Sequence, residues 1–572
     1  MDNPYLDAHH DSDMPGARAT QACLPCRHKK RRCDKALPSC TLCSRLKRSC
    51  AYPDGASSES VLFLRQRVQE LEEQLGAALA SQTPATSSAS SSSISNIHSN
   101  NIDPALSSPG ATPPQQLHNH HYQHNIAWVL PAPSPAAPFI SQFFLDAEAF
   151  ENARPAFPKP TILIPAEARL ILGGVAGIQT LLDVFFSTIH VWFPFISKSR
   201  LCKQTADPAS LPADTILLFL AMHLLCHNPR DDVHIGGVSL YATVKQLLVV
   251  VESNGLLTLN MMQAAILIAL YEICHAMYPA AYLSTGHCAR LGYSVGLHDR
   301  RAPRVFPKLT TWGGNEELRR AWYAVMILDR YVNIGSRKHP LASGDFDSNG
   351  SLPADDQAWD RGDVEATQPM FITSSTPIKV GGFSRSCQAA HLLGRVLEHR
   401  DDEEMQGAFR FSSAMQIHST LESLTGTMAI GTRATPEQLS TAFGLLASAR
   451  FTLYDPYSCT GSNHGRATVE EIQMQSISLD GLKNTASDVL QYLQHLHSYV
   501  KPDLTRASPL LCDSIYQAAT TFLWLQQENG DPQATMGLIT LTDILQEWSA
   551  RWNLAWEYLK LLDVARQRMA ET

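Results

Sequence analysis

Charge is scarce in this chain. Of 572 residues only 17% are Asp, Glu, Lys or Arg, against ~25% in an average soluble protein. The net charge of −8 argues against a chain that coats a polyanion over its whole surface. Glycine is also short, 31 residues against 34 prolines, which fits a polar, proline-bearing linker beside a helical core. Long apolar runs are missing. The longest, TILLFLAMHLLC from Thr215 and AAILIALY from Ala264, fall short of the ~18 uninterrupted apolar residues of a membrane span, so no membrane partner is expected. The acidic beginning, MDNPYLDAHHDSDMPG, lacks the apolar stretch of a secretory leader. The 13 cysteines are therefore expected in a reducing compartment, where spaced cysteines suggest metal rather than disulfides.

What charge there is lies unevenly. Between Arg18 and Cys50 stand ten Lys and Arg with Asp34 as the single acid. That segment is +9, which leaves −17 on the rest of the chain. A small basic module beside a large acidic body is the layout of a nucleic-acid reader with a separate regulatory part.

The length allows roughly three to five domains, or one large domain with appendages. Residues 1–17 read as a disordered N-terminus and 18–52 as the basic module. Within 53–80, after a connector, Val61, Leu64, Val68, Leu71, Leu75 and Ala78 recur at alternating spacings of three and four. This is the seam of a short coiled coil, and Leu64, Val68, Leu71 and Leu75 are its candidate homodimer contacts. Residues 81–164 are Ser-, Pro- and His-rich and are expected to be a disordered linker. From 165 to 572 apolar residues recur at helical spacing with no sustained alternating strands. The expected fold is mostly α: a large all-helical domain of packed antiparallel helices, preceded by the module, the coil and the linker.

Six cysteines read Cys23-x2-Cys26-x6-Cys33-x6-Cys40-x2-Cys43-x6-Cys50, so C-x2-C-x6-C occurs twice. A structural zinc ion takes four ligands in a tetrahedron. Two ions need eight ligand positions, so with six sulfurs two must bridge, and the duplication makes Cys23 and Cys40 the natural pair. A module of ~30 residues has little apolar core, and metal must supply its folding free energy. Guanine offers O6 and N7 acceptors in the major groove to Lys or Arg, whereas Arg31, Arg32, Arg45, Lys47 and Arg48 suit phosphates, which position without specifying. Each of these five could instead be a solvated charge. RHKKRR, from Arg27, also reads as a nuclear import signal.

The segment CLPCRHKKRRCDKALPSCTLCSRLKRSC resembles the fungal Zn(II)2Cys6 binuclear cluster domain of transcription regulators, with all six ligands at permitted spacings. The resemblance implies two Zn²⁺ per chain bridged by the first and fourth cysteines, and a helix that enters the major groove. It also implies contacts to a CGG triplet from Lys29 and Lys30. Arg27 and Pro38 match the pattern too. Further on, AAYLSTGHCARLGYSVGLH and ELRRAWYAVMILDRYVNIGSRKHPLASGDFD resemble the helical middle regulatory domain of the same family. Glu317, Arg319, Arg320, Trp322, Asp329, Gly335, Pro340 and Asp345 fall on its pattern. A structural role in buried ion pairs is expected for Arg319, Arg320 and Asp329.

Three other patterns suggest different chemistry. Gly292-Tyr293-Ser294-Val295-Gly296 satisfies G-x-S-x-G, but a nucleophile elbow needs a strand before it, and the surroundings are helical. His223 and His227 are spaced as zinc ligands on a helix, yet no third ligand accompanies them. The run Asp401–Glu404 fits a solvated helix end better than an activating surface. The resulting expectation is a nuclear, non-enzymatic transcription factor of RNA polymerase II genes. It would read CGG-type half-sites in double-stranded DNA, and would activate a secondary-metabolite gene cluster or a nutrient pathway. Its partners would be DNA, a second copy, the transcription machinery and a small-molecule effector. The rivals are a hydrolase-like helical enzyme with an appended zinc module, and a zinc-dependent protein-interaction module that binds no DNA.

Overall fold

The computed structural model describes residues 23, 25–26, 33–36, 38–47 and 49–50, and then 141–571 except for short connecting stretches. It divides into two units, one ending at Leu117 and the other beginning at His118. In the first unit the helix α1 (Thr41–Arg45) follows Cys40. The expected coiled-coil positions Leu64, Val68, Leu71 and Leu75 lie outside the described residues.

The first described elements of the second unit are two short helices, α2 (Ser141–Leu145) and α3 (Ala147–Ala153), inside the 81–164 segment expected to be a disordered linker. Asp146 explains the second helix: its Oδ1 accepts from Ala149 N at 2.9 Å and caps the first turn. There follow α4 (Ala166–Ile171), α5 (Gly174–Ser187), α6 (Ile189–Trp192), α7 (Lys198–Gln204), α8 (Ala213–Cys226) and a two-residue hairpin, β1 (His234–Ile235) with β2 (Val238–Ser239). Next come α9 (Leu240–Ser253), α10 (Leu259–Cys274), α11 (Ala280–Ser294), α12 (Trp312–Val332), α13 (Asp356–Arg361), α14 (Gly382–Asp401), α15 (Ala408–Met428), α16 (Pro436–Ser458) and α17 (Val469–Val500). The unit ends in α18 (Cys512–Asn529), α19 (Pro532–Ser549) and α20 (Asn553–Glu571).

The centre is built from helices without a polar face. In α10 every residue from Asn260 to Cys274 is buried, and in α8 every residue but His223 and Cys226 is; such helices are stable only when surrounded. They pack on each other, and α10 also packs on α11 and α12. The Gly174–Trp192 stretch is long and apolar enough to cross a membrane. It is broken at Thr188, and Leu182, Phe185, Ile189 and Trp192 are fully buried in the helical core.

The array is not uniformly antiparallel. The ring of His399 meets the Tyr457 hydroxyl at 2.7 Å, and a side chain at Gly382 would strike the backbone of Gln438. The starts of α14 and α16 are thus neighbours, and so are their ends: the two run parallel, with α15 returning between them. Glycine at 382 permits this approach. A Thr435/Gln438 capping box and Pro436 begin α16. Near the end of the unit α19 and α20 are separated by a break at 550–552.

The charges of the middle-domain pattern are spent on packing, as expected of them. Arg320 is fully buried; it donates to Glu316 Oε1 (3.1 Å), Asp356 Oδ1 (2.8 Å), Pro194 O (2.8 Å) and Ala354 O (2.7 Å), and lies 4.1 Å from the Trp359 ring centre. Arg319 pairs with the same Glu316. Asp329 accepts from Ala342 N (3.1 Å) and from Ser343 N (2.8 Å) and pairs with Arg330, pinning the chain where it leaves the Gly335–Pro340 loop after α12.

Candidate metal centre and nucleic-acid interface

The cysteine module is shaped by local bonds. Cys40 caps α1, its sulfur accepting from Cys43 N at 3.4 Å, so the C-x2-C turn brings both thiols to one side. Asp34 accepts from Thr41 N at 3.1 Å, and also from the Thr41 hydroxyl, which ties the end of the first half to the start of the second half's helix. No spacing rule had singled out this clasp. The duplicated cysteines had suggested two similar halves, but not the bond between them.

Four buried sulfurs gather as a result. Cys23 Sγ lies 3.6 Å from Cys40 Sγ and 3.7 Å from Cys43 Sγ, and Cys26 Sγ lies 3.7 and 3.8 Å from the same two. A tetrahedral ion with bonds of ~2.3 Å to sulfur has ligand edges of ~3.8 Å, so the set fits zinc. Cys33 Sγ stands 3.8 Å from Cys23 Sγ, and Cys50 Sγ accepts from Cys40 N at 3.3 Å. All six cysteines therefore converge, with Cys23 and Cys40 at the centre. Burial pushes the Cys23 thiol well above the ordinary cysteine range. A cation among the sulfurs supplies the charge that holds them as thiolates. Among the described residues the only other group able to hold a metal is Cys33, Asp34 and Cys40.

Of the predicted DNA contacts, Arg45 and Lys47 are described. Both are exposed, at the end of α1 and just beyond it, within a few residues of Cys43. Arg27, Lys29, Lys30, Arg31, Arg32 and Arg48 lie outside the described residues.

The three competing patterns resolve structurally. Ser294 ends α11, with its hydroxyl donating to Leu291 O at 2.8 Å. Gly292 lies where a side chain would strike the Trp322 ring. A helix precedes the serine, so the elbow is absent. His223 and His227 stack at 5.6 Å between ring centres, and among the described residues no third ligand joins them. Asp401 and Asp402 are engaged locally: Asp401 binds Arg400 (2.8 Å) and Lys338 N (3.1 Å), and Asp402 accepts from Glu404 N and Met405 N.

Comparison with known proteins agrees with this geometry. Residues 21–58 match the fungal Zn(2)-Cys(6) binuclear cluster domain, and residues 182–444 match the fungal specific transcription factor domain. "Transcription factor BOA15" of Botryotinia fuckeliana is 35% identical over 182 residues, spanning 32% of this chain and 99% of that protein. "Transcription factor tazR" of Aspergillus terreus is 24% identical over 449 residues, 68% of this chain and 70% of that protein. The "Citrinin biosynthesis transcriptional activator ctnR" of Monascus purpureus is 23% identical over 410 residues, 68% and 67% of the two chains. The protein belongs to the fungal Zn(II)2Cys6 transcription factors, which couple a zinc-held DNA-binding module to a helical domain.

Proposed function

We propose that this chain is a nuclear activator of a secondary-metabolite biosynthetic gene cluster and has no catalytic activity of its own. The observation that carries the reading is the knot of four buried sulfurs at tetrahedral separations, set in the chain's one strongly basic segment. In this reading Cys23, Cys26, Cys33, Cys40, Cys43 and Cys50 hold two zinc ions, with Cys23 and Cys40 shared. Lys29 and Lys30 meet the guanines of a CGG-type triplet; Arg31, Arg32, Arg45, Lys47 and Arg48 meet phosphates around it, and Arg27 belongs to the same DNA-binding set. Leu64, Val68, Leu71 and Leu75 pair two copies, so that two triplets are read together. The helical domain from 165 onward regulates, and it is where a small-molecule effector would act. The pathway assignment draws on the relatives, several of which are named as activators of biosynthetic pathways.

A genome-wide occupancy map of the full-length chain in its native cell tests this. Peaks centred on CGG-type triplets, beside the genes of one biosynthetic cluster whose transcripts fall on deletion, are expected. Peaks without such triplets, or a deletion that leaves the neighbouring transcripts unchanged, would contradict it.

A further inference from the structure

The turn between α19 and α20 meets the ends of α8 and α10 through a set of buried hydrogen-bond donors. Arg551, in that turn, donates to Leu225 O in the last turn of α8. Its guanidinium lies 3.9 Å from the Trp552 ring centre, and its Nη1 is buried without a partner. Among the described residues no Asp or Glu stands within ion-pair distance of it. Asp503, whose charge reaches it, is exposed and accepts from Thr505 N at 3.0 Å instead. Trp552 is fully buried, and its Nε1 has no acceptor. His275, just past the end of α10, is 5% exposed, and neither ring nitrogen has a partner. Its ring lies 5.6 Å from that of Trp552 and 4.4 Å from that of Tyr271. Two other buried arginines of the domain are answered by acids: Arg320 by Glu316 and Asp356, Arg450 by Glu422 and Asp488.

A buried donor without an acceptor is costly, and a buried cation without a counter-charge is more so. The carbonyl end of α8 answers one edge of the guanidinium only. Water answers the donors but not the charge. A partner that answers both is an acceptor with negative charge, which a carboxylate supplies to guanidinium and indole N–H alike. The rings of Trp552 and Tyr271 suit a flat, apolar body behind it. We propose that Arg551, Trp552 and His275 form the effector site of the helical domain, and that the effector is a small aromatic organic acid held by its carboxylate. The site lies where α19 and α20 meet α8 and α10, so an occupant ties the C-terminal hairpin to the central helices and favours their docked arrangement. The inference rests on the reading above that the helical domain takes an effector.

The test uses the zinc-loaded full-length protein, with sodium benzoate as the probe. Thermal unfolding of the helical domain is followed with benzoate, with benzamide, which has the same ring and no charge, and with inorganic phosphate, all at one ionic strength. Benzoate raises the midpoint saturably, by about 2 °C; benzamide and phosphate do not. Arg551→Gln, whose amide can still donate to Leu225 O, loses the shift. Trp552→Phe keeps the ring without the indole donor and needs about tenfold more benzoate for the same shift. A wild type indifferent to benzoate would overturn the inference. So would an equal response to benzamide or phosphate, or a response that survives both substitutions. If Arg551→Gln does not fold, Trp552→Phe decides alone. The regulatory role is read in a fungal host carrying a reporter behind a promoter fragment that the wild type occupies. There Arg551→Gln and Trp552→Phe each lower transcript about fivefold at unchanged occupancy and protein level. Wild-type output from both would overturn the effector assignment and leave the activator reading standing. A wild type that occupies the promoter without raising transcript would refute the activator reading, and the benzoate result would still decide the site.

Discussion

Lys30 and Arg48 are both cations of the basic module, but the proposed reading gives them different work. Lys30→Ala removes a base contact and should cost roughly 1–3 kcal/mol on the preferred triplet while relaxing the preference there. Arg48→Ala removes a phosphate contact; it should weaken all sequences alike and lower the salt slope by about one. Titrations of specific and random duplexes at several salt concentrations separate the two, and equal losses from both variants would refute the division. A second residue-scale effect belongs to the helical domain. Burial, helped by the charge of Arg551, pushes the imidazole of His275 down to about 3; burial also pushes His399 down to about 4, helped by Arg410. Unfolded histidines titrate near ~6.5, so below that pH the unfolded chain takes up protons that the folded chain refuses. The stability these neutral rings contribute is complete above pH ~6.5 and is lost as the pH falls toward 4, at up to ~1.4 kcal/mol per pH unit for each ring. Urea unfolding of His275→Gln should show a shallower decline over that window than the wild type does. Parallel curves would show that His275 is not the titrating group.

At the scale of single elements, α12 depends on Arg320. Its removal leaves Asp356 without its arginine and takes from buried Glu316 one of its two arginine partners. Breaking one member of a buried charge cluster costs about 3–5 kcal/mol. Arg320→Ala should therefore lower the denaturation midpoint of the helical domain markedly without changing zinc content; a loss under ~1 kcal/mol would mean that the ion pairs are not buried as described. The coil is a separate element with its own test. Leu71→Pro removes a backbone donor and clashes inside a helix, so in the dimer reading it abolishes the preference for probes with two triplets over probes with one. Equal wild-type affinity for both probes, unaffected by Leu71→Pro, would exclude the coiled-coil dimer. Elements also differed in how legible they were. The helix α10 was plain from its apolar run, and α16 from the apolar residues that recur at helical spacing after Pro436. By contrast α15 escaped notice, although its buried Ala414, Ile417, Leu421, Leu424 and Met428 keep the three/four spacing. A small residue begins that stripe, and Ser and Thr fill the gaps, while Phe409, its most conspicuous side chain, points into solvent. The parallel course of α14 and α16 was illegible because periodicity reports a helix's buried face, not its direction relative to a neighbour.

For the whole molecule, the sequence exposed the division of labour more readily than the shape. Ten cations in one short stretch and a duplicated cysteine pattern separate a DNA-binding module from an acidic helical body. Cysteine spacing is legible because metal geometry dictates it locally, whereas the Asp34–Thr41 clasp joins two halves across a loop and appears only in three dimensions. The helices at 141–153 were missed for a related reason: two short turns held by one cap and one ring pair leave almost no periodic trace. The module's own folding turns on the metal, since it has too little apolar surface to fold without it. Zinc analysis of the purified full-length protein is therefore the most direct test of the account, with Cys40→Ala and Cys50→Ala measured beside the wild type. Two zinc ions per wild-type chain are expected, with both disturbed by Cys40→Ala and chiefly one by Cys50→Ala; one ion per wild-type chain would contradict the shared-sulfur cluster.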